Sequence, residues 1–266
     1  MRTVAIAGVG LIGGSLGFAL KKHSLAARVL GVSSPATIAK AVRLGAIDEG
    51  VTLEEAAARA DVLVLCLPIS GILQVLPALR TKALVTDVGS TKSAIVAAAS
   101  ALPEFLGGHP MAGKESRGVE HADPDLFRGR PWVLTPMDGS LSAAGSAWLS
   151  VVSALGARAI LLSPAEHDRL VAMSSHLPQL LSTALAASLE GSEAYLTAGP
   201  GLHDMTRLAL SSYVIWQDIL ATNGPEIRAA LDRALAELSH LRSQLGDDAA
   251  GETFARAQRF AGRLRG

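Results

Sequence analysis

The sequence predicts an α/β fold: an N-terminal parallel sheet with helices on both faces, then an all-helical unit. Three observations predict it. Short apolar runs alternate with helical patterns up to residue 163, a glycine triplet joins the first run to the first helix, and strand patterns stop beyond Ser163-Pro164. Alternation of this kind is the signature of a parallel sheet. The two units are expected to span residues 1–163 and 164–266.

The predicted strands are residues 3–7, 28–32, 62–67, 83–88, 105–108, 132–135 and 157–162. Most are almost continuously apolar, because strands in a parallel sheet are buried on both sides. Helical patterns fall between them at 15–22, 35–44 and 92–101. In the second unit, Ile227, Leu231, Leu235, Leu238, Leu241 and Leu245 recur at spacings of three and four within 226–245, one face of a helix started by Pro225. Residues 165–190 and 203–222 also read as helices. Long apolar stripes on a small helical unit call for a cover, so a homodimer through this half is expected; packing within one chain is the alternative.

Composition narrows the function. Lys plus Arg and Asp plus Glu balance at 24 each, which gives no basic excess for nucleic acid or a membrane surface. The N-terminal apolar stretch breaks on glycines, and no uninterrupted apolar segment of about 18 residues follows, so a cytoplasmic protein is expected. The one cysteine, Cys66, sits in an apolar run and reads as a buried, inert thiol.

Gly8-Val9-Gly10-Leu11-Ile12-Gly13 fits G-x-G-x-x-G between a strand and a helix, the context in which it binds a dinucleotide. The first glycine serves a tight turn, the second lets backbone approach a pyrophosphate, and the third allows strand and helix to pack closely. The second strand ends where a carboxylate would hold the adenosine 2′-hydroxyl of NAD. Ser33 and Ser34 stand there instead, with Lys40 and Arg43 further on. Nothing repels a 2′-phosphate, which favours NADP over NAD.

Gly107-Gly-His-Pro-Met-Ala-Gly-Lys-Glu115 places one of only seven histidines at the end of a predicted strand. That edge of an open α/β sheet is where ligands bind, and an imidazole there suits proton transfer. Ser90, after the preceding strand, reaches the same cleft. The helical half adds His167 and His176, nine residues apart, a spacing unlike a helical metal site. It also adds Arg207, expected in the first turns of a helix and suited to clamping a carboxylate.

Taken together, these stretches resemble the prephenate and arogenate dehydrogenases of tyrosine biosynthesis. The resemblance runs through the glycine loop, Asp87–Lys92, Gly107–Glu115, Glu166-His167-Asp168, Ser175-His-Leu-Pro178, Asp204-Met-Thr-Arg207 and Trp216-Gln-Asp-Ile-Leu220. It implies a Rossmann domain with a helical dimerisation domain, and oxidative decarboxylation with NADP or NAD. It also implies roles. His109 is the catalytic base, and Ser90 bonds the same substrate hydroxyl. His176 and Arg207 bind substrate, Glu115 lies at the cleft mouth, and His167 is a secondary histidine.

The chain departs from the family pattern at Ser33, Lys114, Gln179 and Ser212-Tyr213. Prephenate is favoured over arogenate, with the choice open. A β-hydroxyacid dehydrogenase of the same plan would need a catalytic lysine in the helical half, and residues 115–266 contain none. A non-catalytic sensor of NAD(P) is the remaining alternative.

Overall fold

The computed structural model describes residues 1–246 and 248–265. Eight strands form one sheet: β1 (Thr3–Ala7), β2 (Arg28–Val32), β3 (Glu49–Gly50), β4 (Val62–Leu65), β5 (Leu84–Asp87), β6 (Phe105–Pro110), β7 (Pro131–Pro136) and β8 (Arg158–Leu161). Between them run α1 (Leu11–Lys22), α2 (Pro35–Leu44), α3 (Leu53–Arg59), α4 (Ile69–Val75), α5 (Ser93–Ala98) and α6 (Ala143–Ala154). The helical half holds α7 (Pro164–Val171), α8 (Leu177–Ser188), α9 (Pro200–Thr206), α10 (Tyr213–Thr222), α11 (Gly224–Ser243) and α12 (Ala250–Arg265). None of the described helices is long and apolar enough to cross a membrane.

Local chemistry sets the helix ends. Ser34 caps α2 by accepting from the Thr37 N–H, Pro35 opens the helix, and Gly45 closes it at φ +81°. Thr52 with Glu55, and Ser163 with Glu166, form reciprocal capping boxes at the starts of α3 and α7.

Strand order is β3-β2-β1-β4-β5-β6-β7-β8. The order reverses between β1 and β4, so the glycine loop after β1 opens at the point where such sheets bind ligands. One expectation fails: the sheet is not wholly parallel. β7 runs antiparallel to β6, and β8 follows β7 in parallel. The β6–β7 connection carries only a short 3₁₀ turn at Val119–His121, with no crossover helix to return the chain to the same end. β3 escaped the sequence because it has two residues and no apolar run.

Two apolar layers cover the sheet. One packs α1 and α6 against Val4, Ile6, Leu106 and Leu134. The other packs α4 and α5 against Leu63, Leu65, Val85 and Phe105, and it also takes Ala172, Ile219, Ile227 and Ala230 from the helical half. The two halves therefore share a core.

The predicted helix over 165–190 is three pieces. A π-helical turn, Ala172–His176, separates α7 from α8. Pro178 has no N–H for the Ser174 carbonyl, so the ladder widens there. The segment 203–222 is likewise α9, a 3₁₀ turn at Arg207–Leu210, and α10. Arg207 thus lies after α9 rather than in the first turns of a helix.

Candidate active site

The glycine loop has the shape that a dinucleotide needs. Gly8 sits at φ +97°, and a Cβ there would fall 2.2 Å from the Cys66 carbonyl oxygen. At Gly13 a Cβ would lie 2.0 Å from the Gly8 oxygen, so only glycine lets α1 approach β1 this closely. A Cβ on Gly10 meets nothing within 4 Å. That open face borders a cavity of about 490 Å³ lined by Gly10, Leu11, Ile12 and Gly13 on one side and Leu67, Val88, Gly89 and Ser90 on the other. A pyrophosphate fits at the Gly10–Gly13 end, against the free N–H groups of α1. Leu11 and Ile12 belong to the helix itself. Cys66 lines the wall just past β4, and burial pushes its thiol far up, leaving it unreactive.

A second cavity, about 340 Å³, adjoins the first and shares Lys114, Arg117 and Ile215 with it. Glu115, Gln179, Arg207, Ser211 and Ser212 complete its polar lining. Arg207 and Glu115 are both exposed, 4.0 Å apart.

His109 lies near the end of β6, in the strand that leads into the Ala112–Lys114 wall. Strand alternation turns its ring to the layer that carries the helical half, and only 8% of the residue is exposed. Its Nδ1 meets His167 Nε2 at 2.8 Å, and His167 Nδ1 meets Asp168 Oδ1 at 2.8 Å. Asp168 is anchored by the backbone N–H groups of Lys92 (2.7 Å) and Ser93 (2.8 Å) at the start of α5. A carboxylate held by N–H donors takes the His167 Nδ1–H; His167 Nε2 is then a lone pair that accepts the His109 Nδ1–H. The chain leaves His109 Nε2 unprotonated. Burial, helped by His167, Lys92 and His176, holds the His109 imidazole well below its ordinary range.

His176 is buried at the end of the π-helical turn. Its Nδ1 is 3.3 Å from Asn223 Nδ2, and its ring stands edge-on to Trp216 at 5.8 Å. Burial pushes its pKa down to about 4. Asn223 also donates to the Asp168 carbonyl at 2.9 Å, tying α11 to α7 behind the histidines.

The two glycines before His109 have a steric cause. A Cβ on Gly107 would fall 2.1 Å from Thr135 Oγ1, and one on Gly108 2.4 Å from the Asp87 carbonyl oxygen. Beneath them the Lys92 ammonium meets the Asp87 carboxylate and donates to the Gly108 oxygen at 2.8 Å.

Of the residues singled out in the sequence, the structure brings His109 and His167 into contact and puts Gly10, Leu11, Ile12, Gly13 and Ser90 around one cavity. Glu115 and Arg207 share the other. No hydrogen bond joins Ser90 to His109 among the described residues; His167 orients that ring instead. Ser33 and Ser34 are exposed at the start of α2, outside both cavities, and Lys40 pairs with Glu120 at 3.1 Å. Sequence reasoning missed Asp168, Asn223, Asp87 and Lys92 as parts of the site. Asp87–Lys92 and Glu166-His167-Asp168 stood out in the sequence as motifs, but only Ser90 and His167 within them were given roles.

The fold and this site define a nicotinamide-dinucleotide-dependent oxidoreductase. Residues 16–161 match the family model for the prephenate dehydrogenase nucleotide-binding domain, and residues 163–259 the one for its dimerization domain. The chain belongs to the prephenate dehydrogenase family. It is 32% identical to a prephenate dehydrogenase of Bacillus subtilis over 95% of this chain and 72% of that one. Among solved structures it resembles prephenate dehydrogenase from Aquifex aeolicus in complex with hydroxyphenyl propionate and NAD+ (TM-score 0.88, 30% identity, 100% of this chain and 97% of that one). It also resembles arogenate dehydrogenase from Synechocystis (TM-score 0.85, 30% identity, 99% of each chain).

Proposed function

We propose that the chain oxidatively decarboxylates prephenate to 4-hydroxyphenylpyruvate, with His109 as the base. Residues 1–163 would hold the cofactor, and residues 164–266 would complete the substrate site and the dimer. The observation that carries this reading is the Asp168–His167–His109 chain; with the carboxylate as acceptor at one end, it leaves the His109 Nε2 at the other as the lone pair of a base. A bound nicotinamide supplies the acceptor for the hydride that leaves C4 of the substrate. His109 Nε2 would take the proton of the 4-hydroxyl as hydride leaves, and return it to the phenolate oxygen formed when the ring loses carbon dioxide and becomes aromatic. The imidazolium that forms is stabilised through His167 by Asp168. Ser90, on the cavity wall, would bond the same hydroxyl.

Arg207 would pair with a substrate carboxylate, and Glu115 would temper that charge so the carboxylates are not held too firmly to react. His176, kept neutral by burial, would contact the substrate across from His109. Alignment of this kind is worth on the order of 7–11 kcal/mol of barrier, more than the base alone. The testing assay follows reduced-cofactor absorbance with prephenate and arogenate crossed against NAD and NADP. Prephenate with NADP is expected to give the highest kcat/KM; activity with neither substrate would refute the proposal.

The preference for NADP rests on Ser33 and Ser34 at the N-terminus of α2, where hydroxyls stand in place of a carboxylate that would repel a 2′-phosphate. Ser33→Asp is expected to shift the ratio of kcat/KM values at least about tenfold toward NAD, as like-charge repulsion of roughly 1.4 kcal/mol would do. An unchanged ratio would place the discrimination elsewhere.

A homodimer through the helical half is proposed on the divided stripe of α11. Ile227 is buried in the chain's own core, whereas Leu235 and Leu238 are 57% and 53% exposed. Phe254, Phe260 and Leu264 of α12 are exposed as well. Apolar exposure on this scale marks an association surface. Leu235→Glu/Leu238→Glu is expected to give monomers by light scattering at micromolar concentration, and a persisting dimer would move the interface. Cytoplasmic residence belongs to the same proposal, since the reaction draws on a pool of free nicotinamide dinucleotide.

A further inference from the structure

Lys92 has no exposed surface, and neither does its counter-ion Asp87. Replacing such a buried pair by apolar residues is often neutral or stabilising, so stability alone does not account for it. Its contacts suggest another purpose. The β5–β6 ladder pairs Val85 with Phe105 and Thr86 with Leu106 and goes no further. Beyond it, the two side chains take over. Asp87 Oδ1 accepts the Gly108 N–H at 3.0 Å, and the Lys92 ammonium donates to the Gly108 oxygen at 2.8 Å. Both backbone polar groups of the residue before His109 thus end on this pair. Asp87 Oδ2 also accepts the Gly89 N–H at 2.8 Å, on the cofactor wall.

The backbone of the same lysine holds the other end. With Ser93 it anchors Asp168, which terminates the imidazole chain. His109 is therefore gripped through the strand that carries it and through the carboxylate that orients it.

We propose that Lys92 is a positioning residue for the base: with Asp87 it replaces the missing sheet ladder under His109. The titratable groups acting on His109 are His167 from α7, His176 from the π-helical turn and Lys92 ahead of α5; Asp168 stands behind His167, and Asp87 is paired with Lys92. Burial, His167, Lys92 and His176 all push the His109 pKa down. The inference rests on His109 being the base.

The test compares Lys92→Met, which removes donor and charge, with Lys92→Gln, which removes the charge but keeps an N–H donor on a side chain one bond shorter. Cofactor binding by fluorescence reports the fold. Lys92→Met is expected to lower kcat on the order of 10²-fold, the effect of a displacement near 1 Å. Losing the charge raises the His109 pKa, so the acid limb of kcat/KM moves to higher pH, by about one unit, in both variants. Lys92→Gln recovers part of kcat but keeps the displaced limb, and it carries the test should Lys92→Met fail to fold. A normal kcat, or a lowered kcat with the acid limb unmoved in Lys92→Gln, overturns the proposal. Measured beside them, His109→Asn separates the two claims. If it retains activity, the base assignment fails; if it is inactive while the Lys92 variants behave as wild type, only the role of Lys92 fails.

Discussion

His109→Asn is expected to cut turnover by about 10²–10⁴-fold while NAD(P) affinity stays within a few-fold of the parent. Asparagine fills much of the same volume and its amide can still meet His167 Nε2, so the 2.8 Å contact has a substitute and the fold should hold. What it lacks is a second nitrogen to take a proton. Cofactor affinity should not change, because no part of His109 lines the Gly10–Ser90 cavity. In the parent protein the base is active above its own pKa. That pKa is held well below the usual imidazole value, so kcat/KM should stay high down through pH 6 and fall only below it. Stopped-flow and steady-state absorbance of the reduced cofactor check both statements. Near-normal turnover in His109→Asn would remove the base from the scheme.

Asp168→Asn is expected to cost a similar factor, on the order of 10²–10⁴ in kcat, by reversing the tautomers. Asp168 Oδ1 accepts from Lys92 N and from His167 Nδ1, and Oδ2 accepts from Ser93 N. An amide can replace only one of these oxygens with NH₂. If NH₂ takes the Oδ1 place, it forces His167 to present a bare Nδ1 and a protonated Nε2. His109 Nδ1 must then accept, and its proton moves to Nε2, where it blocks the substrate's hydroxyl. If NH₂ takes the Oδ2 place, the Ser93 N–H loses its acceptor, as the Lys92 N–H does in the first arrangement, so either one costs about 1–3 kcal/mol of stability. Tm is expected to fall in either arrangement, and kcat distinguishes the two, since only the first reverses the tautomers. A variant that keeps both Tm and kcat would show that the imidazole chain does not set the state of His109.

Much of the fold was legible because buried parallel strands leave an almost unbroken apolar trace, as in Thr3–Ala7 and Val62–Leu65. The glycine loop was legible because Gly8 and Gly13 answer local steric demands, while Gly10 faces open space. Contacts made at long range in sequence left no such trace. The reversal of β7 depends on what the 111–130 connection lacks. The division of the α11 stripe into a buried start and an exposed end depends on which neighbours arrive. Asp168 and Lys92 are 76 residues apart, and nothing local to either shows that one caps the site built on the other. His109 drew notice through its odd surroundings, the glycine pair and the proline. The cause of that glycine pair, Thr135 from β7 and Asp87 from β5, appears only once the strands are side by side.

The central claim concerns one nitrogen, and histidine-selective ¹⁵N NMR of the uniformly labelled protein reads it directly. The account predicts that His109 and His167 both stay neutral from pH 8 down to about pH 6. Each should carry its proton on Nδ1, with the Nε2 of His109 showing the shift of a bare lone pair. A His109 ring protonated on Nε2, or one that titrates near the free-imidazole value, would contradict it.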